Sequence, residues 1–179
     1  MRLVIQACLY VLLGYVVLIV HSTALTFVSI HPVIPNLLLP LVVFLGVSPN
    51  VPTPMGSSVA FLLGYLMDSI CGMPMGLYTF TFVVTYVIAK GAGLRLFLRG
   101  PLSEIMLTFL VSVLAGCLQL AMRAIFEYPA PFPARSYVVL IHLLAGSVAT
   151  AVLSPVVFYL ARMASRWRVH STESTRPSP

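Results

Sequence analysis

Asp68 is the acid most deeply set in apolar sequence. The stretch GYLMDSICGMPMGLYTF, Gly64 to Phe80, holds that one carboxylate and no other charge. An isolated charge at the centre of a bilayer costs about 2.5–3.5 kcal/mol or more, so such an acid pairs, meets water or does work. On a helix, Gly56, Ala60, Gly64 and Asp68 recur every four residues. At about 100° per residue that stripe drifts only slowly around the axis. Small residues at this spacing admit a second helix at close range. The stripe therefore directs Asp68 toward protein and away from lipid.

Candidate partners lie further along the chain. Ser112, Gly116, Gln119 and Arg123 share one face of a later apolar segment, and His142 stands near the start of the last one. With both termini on the inner side, Asp68, Arg123 and His142 reach a similar depth near the outer surface. An Asp68–Arg123 pair, or an Asp68–His142 bond, would tie spans three, five and six together. The alternative is an Asp68 near enough to the interface to be hydrated.

Catalysis has little to stand on. General acid–base work needs a second positioned group and a cleft. Glu104 falls at the opposite end of its span, beside Pro101, and suits a helix start. Glu127 lies in or near an outer loop. No GxSxG, HExxH, P-loop or paired-carboxylate pattern occurs. His21 and His31 flank the first outer loop and read as interfacial. Cys8, Cys71 and Cys117 stand far apart in apolar runs and read as small buried hydrophobes, with no metal site and no disulfide. No enzyme activity and no cofactor are expected.

The elements that position these residues follow from composition. The chain is 60% hydrophobic and 8% charged, whereas soluble domains carry roughly 25% charged residues. An all-α integral membrane protein is expected, a bundle of six spans near residues 3–20, 33–48, 55–71, 75–89, 102–123 and 137–161. Spans two, three and four are short, and span two contains Pro35 and Pro40. The linkers SPNVPTP (Ser48 to Pro54), CGMPMG (Cys71 to Gly76) and EYPAPFPAR (Glu127 to Arg135) read as non-helical. Residues 1–169 form the membrane domain, and the polar tail, 170–179, reads as disordered and cytoplasmic.

The net charge of +6 is a topology signal and points to no nucleic acid. Six spans with the N-terminus inside leave Arg2, Lys90, Arg95, Arg99, Arg162, Arg166, Arg168 and Arg176 on the inner side. Only Arg123 and Arg135 are then outside. Both termini are expected to be cytoplasmic. KGAGLRLFLRGP, Lys90 to Pro101, becomes the main inner loop, lying on the headgroups.

Two stretches carry a resemblance. PNLLLPLVVFLGV (Pro35 to Val47) and GSSVAFLLGYLMDSICGMPMGLYTFTFVVTYVIAK (Gly56 to Lys90) resemble the MreD family, bacterial rod shape-determining membrane proteins. The matching features are a proline-led, leucine-rich second span, the Gly64-x-x-x-Asp68 element and the Gly76-Leu77 step after a short turn. The long tail and the proline-rich outer loop are not part of that pattern. The resemblance implies a non-catalytic scaffold or regulator of cell elongation in the bacterial cytoplasmic membrane. Its partners would be an MreC-like protein, with MreB, RodA and an elongation penicillin-binding protein, in support of lateral peptidoglycan synthesis. It also implies a fold similar to the substrate-binding subunits of energy-coupling-factor transporters. That similarity supplies an alternative, a vitamin or small-molecule uptake subunit using Asp68, Gln119, Arg123 and His142. On the scaffold reading, a partner helix docks on the stripe of small residues that includes Gly64.

Overall fold

The computed structural model describes residues 2–27, 36–49, 51–71, 75–95, 101–126 and 136–173. They form six helices: α1 (Arg2–Phe27), α2 (Leu38–Val47), α3 (Thr53–Cys71), α4 (Leu77–Arg95), α5 (Pro101–Phe126) and α6 (Ser136–Glu173). Stretches of α1, α5 and α6 are long and apolar enough to cross a membrane: Val4–Thr23, Leu102–Phe126 and Val138–Met163. Their outward faces remain apolar, with Leu12, Val16, Leu110, Leu114, Val152 and Val156 among the exposed side chains. In water this would be a liability. Against acyl chains it is the required surface.

α2 departs from the expected second span. Its 10 residues rise about 15 Å, half of a hydrocarbon core. Every residue from Leu38 to Gly46 is buried, and all five other helices touch it. A helix apolar on every side belongs in an interior, and here that interior is the bundle's own axis. Pro40 sits in the first turn of α2, where its missing N–H is one the helix could not have satisfied. Asn36 caps that turn, its Oδ1 accepting from the Leu38 N–H at 3.2 Å. At the other end Lys90 Nζ donates to the carbonyls of Val51 (3.0 Å) and Ser48 (3.4 Å). An edge-to-face run of Tyr10, Phe44 and Phe158 joins α1, α2 and α6.

Several expected boundaries move. Pro54 falls in the first turn of α3, so the SPNVPTP linker is helical at its end. Residues 90–95 continue α4, which shortens the expected inner loop. α6 runs to Glu173, four residues into the expected tail. Residues 96–100, 127–135 and 174–179, with His31 and Pro35, lie outside the described residues. His21, near the end of the Val4–Thr23 span, is buried against the bundle. Cys8 and Cys117 are exposed, and Cys71 is half-buried; their helices turn these small residues outward.

Pro155 stands within α6. A helix-interior proline leaves the carbonyl four residues back without its donor, here that of Ala151. The Ser154 hydroxyl donates to that carbonyl at 2.7 Å. The neighbouring serine thus supplies locally the bond that hydrocarbon cannot.

Candidate functional site

The singled-out residues fall into two places. The first is the α3–α4 hairpin. Gly56, Ala60, Gly64 and Asp68 are all buried, as the four-residue spacing requires, and their common neighbour is α4. A Cβ on Gly56 would stand 2.5–2.7 Å from the Tyr86 ring and hydroxyl, and one on Gly64 would stand 2.5 Å from Thr79 Cα. The stripe is therefore filled from within. The expected docking of a partner helix on Gly64 is corrected by this packing: α4 already occupies that face.

Asp68 ends the stripe with 3% of its surface exposed. Its Oδ1 accepts from the Tyr78 N–H at 2.8 Å, and its Oδ2 from the N–H groups of Gly76 and Thr79, each at 3.0 Å. The Thr79 hydroxyl adds a fourth bond, to Oδ2, at 2.6 Å. The donors are the first turn of α4 and the residue before it. Helix starts expose unsatisfied N–H groups and a partial positive charge, and a carboxylate answers both. Gly76 has φ +101°, a left-handed conformation that glycine adopts without steric cost. It turns the chain so that three amides converge on one acid.

This is a correction to the expected interhelical pair. Asp68 draws its hydrogen bonds from residues 76–79, and none of them comes from Arg123 or His142. Arg123 is in the last turn of α5, within electrostatic range of the Tyr78 phenol. The acid fastens α3 to α4, not spans three, five and six to one another. The signal was present in sequence, since a helix start and a left-handed glycine follow Asp68 within about ten residues.

The second place is a cavity of about 150 Å³ between α2, α5 and α6. Gly116, Gln119 and His142 meet there, joined by Asn36, Ser112 and Thr150. Thr150 Oγ1 accepts from the Asn36 N–H at 3.0 Å, and so ties the start of α2 to α6. Asn36, Ser147 and Thr150 had no part in the sequence reading. Their signal was weak, because hydroxyls on membrane helices usually return to their own backbone. Ser147 does so, donating to the Leu143 carbonyl at 2.8 Å.

At the opposite end of the bundle, Glu104 in the first turn of α5 forms an ion pair with Arg162 of α6. Glu104 thus serves a helix start and an interhelical contact together.

Compared with known proteins, the chain matches no family model, no curated protein and no solved structure.

Proposed function

We propose that this chain is a non-catalytic membrane scaffold of the MreD type, acting in the bacterial cytoplasmic membrane with both termini cytoplasmic. It would bind an MreC-like protein and support lateral peptidoglycan synthesis together with MreB, RodA and an elongation penicillin-binding protein. The observation that carries this reading is the employment of Asp68. Four hydrogen bonds commit its carboxylate to holding α4 against α3. An acid held this way acts as a rivet, with both oxygens engaged by the start of α4. The stretches that resemble MreD, Pro35 to Val47 and Gly56 to Lys90, cover α2 and nearly all of the α3–α4 hairpin, the parts that build the interior. Partner contacts then belong to the outward apolar faces of the longer helices.

The test is deletion of the gene in its rod-shaped host, with affinity capture of the tagged chain from membranes. Rounded cells and recovery of an MreC-like protein are expected. Rods of normal width, with no such protein recovered, would overturn the reading.

A second reading, a small-molecule uptake subunit with an energy-coupling-factor-like fold, draws on one observation. Gln119 and His142 do converge on a polar cavity. Of the other residues assigned to it, Asp68 is committed elsewhere.

A further inference from the structure

We propose that the cavity between α2, α5 and α6 is a binding site for a small uncharged molecule rich in both hydrogen-bond donors and acceptors, such as a carboxamide or a polyol. The proposal rests on neither reading above, since a site can hold a ligand with or without transport.

Size sets the scale. The cavity measures about 150 Å³, and an apolar cavity of that order holds benzene. A ligand of roughly six to twelve heavy atoms, up to a single sugar ring, follows from that comparison.

The walls set the chemistry. Ser112 is 7% exposed and lines the cavity. Its hydroxyl makes no hydrogen bond with any described residue, although Ser147 and Thr150 in the facing wall each return to a carbonyl of their own helix at 2.8 Å. No side-chain oxygen sealed from solvent lacks a partner among the described residues, so the Ser112 hydroxyl is open to the cavity and offers a polar group that no described protein group occupies. The Gln119 amide and the His142 ring also line the cavity and make no hydrogen bond with the described residues. Asn36 has its Oδ1 occupied by the Leu38 N–H and keeps its amide donors. Together these groups offer donors and acceptors in mixture.

Charge sets the limit. Among the described residues, no aspartate, glutamate, lysine or arginine lines the cavity. A charged ligand would lose its hydration without a counter-ion, which is costly in a membrane interior. Asn36 and Leu39, at the start of α2, form part of the wall. The positive end of that short helix favours an oxygen over an N–H at this side. A neutral ligand would therefore place a carbonyl or hydroxyl oxygen toward Asn36 and meet Ser112, Gln119 and His142 with its remaining polar edge.

The same chemistry is carried by a free solute and by the sugar of a neutral glycolipid. The full chain in phosphatidylcholine nanodiscs separates the two. Nicotinamide and myo-inositol, as free probes, are followed by saturation-transfer NMR. Retention of a monoglucosyl diacylglycerol added to the nanodisc is followed by native mass spectrometry. The comparison is with a Ser112→Ala, Gln119→Leu double variant whose melting temperature reports its fold. At least one probe is expected to bind, and the double variant to bind it roughly tenfold more weakly, the loss of one good hydrogen bond. A solute signal assigns the site to free molecules, and glycolipid retention alone assigns it to headgroups. If no probe distinguishes native from variant protein, whether all bind equally or none binds, the site holds water only and the proposal fails. Should the double variant not fold, His142→Phe, at a half-buried wall position, replaces it in the same comparison.

Discussion

Asp68 shows how one residue type can be read correctly for direction and incorrectly for partner. Its inward orientation was legible from the four-residue spacing with Gly56, Ala60 and Gly64. Its partner was not, because opposite charge is the first answer to a buried acid in hydrocarbon and Arg123 lies at a similar depth. The backbone supplies an answer closer at hand: three N–H groups and the Thr79 hydroxyl within eleven residues. Asp68→Ala removes every acceptor and leaves those donors in the hairpin without a partner. We expect a loss of at least about 2 kcal/mol, read as a lower melting temperature in detergent. Asp68→Asn keeps one acceptor oxygen and loses the charge that complements the α4 dipole, so the expected loss is nearer 1 kcal/mol. Equal effects of the two variants would show that charge and acceptor count do not matter here. The Ser154–Ala151 bond makes a parallel case. Ser154→Ala returns the Ala151 carbonyl to isolation beside Pro155, and a cost of about 1 kcal/mol is expected in the same assay.

At the scale of elements, glycine spacing and helix length decide what packs where. Lipid tails are as apolar as leucine, so helices in a membrane associate through close fit and polar bonds, not through exclusion of water. Gly64 is the closest case, for a Cβ there would meet the Thr79 backbone at 2.5 and 2.9 Å. Backbone cannot swing aside as a side-chain end can. Gly116 differs, since its nearest neighbours are Leu143 side-chain carbons at 3.1 Å. Gly64→Ala is therefore expected to destabilise the bundle by about 1–3 kcal/mol, with Gly116→Ala closer to neutral. Thermal melts of the two purified variants check the ordering, and a reversed order would contradict the α3–α4 fit. The number of helices was legible in sequence, because six apolar runs were separated by proline and glycine. The half-length of α2 was not, because an apolar run of that kind looks the same whether it faces lipid or five other helices. What separates the two is the capping at each end, by Asn36 and by Lys90. The Asn36 bond is local, but the N–H of Asn36 is itself held by Thr150, 114 positions away, and Lys90 reaches a loop that hydropathy does not describe.

For the molecule as a whole, the two ends of the bundle are chemically unlike, and that asymmetry predicts an orientation in a membrane that can be tested. One end carries Asp68 bound to α4 and, on α5, Arg123. The other carries Lys90 against the 48–51 loop and the Glu104–Arg162 pair. Lys90 and Arg95 at the end of α4, and the part of α6 from Arg162 onward, belong to this second end, and lysine and arginine are retained on the cytoplasmic side. Arg162 is itself about half exposed, with 54% of its side chain accessible, so its pairing with Glu104 is worth little to stability. Its larger expected effect is on orientation. A fluorescent protein fused after Pro179 should therefore fold and emit in intact cells, while alkaline phosphatase fused at the same place stays inactive. The reverse pattern would put the Asp68 end in the cytoplasm and overturn the orientation. Replacing Arg95, Arg99 and Arg162 with glutamine, and keeping Lys90 for its bonds to the 48–51 loop, should weaken the bias and yield a mixed population, because the helices would keep their fit to one another while losing charges that choose a side. A fusion read-out unchanged in that variant would shift the determinant to Lys90 and the basic residues from Arg166 onward.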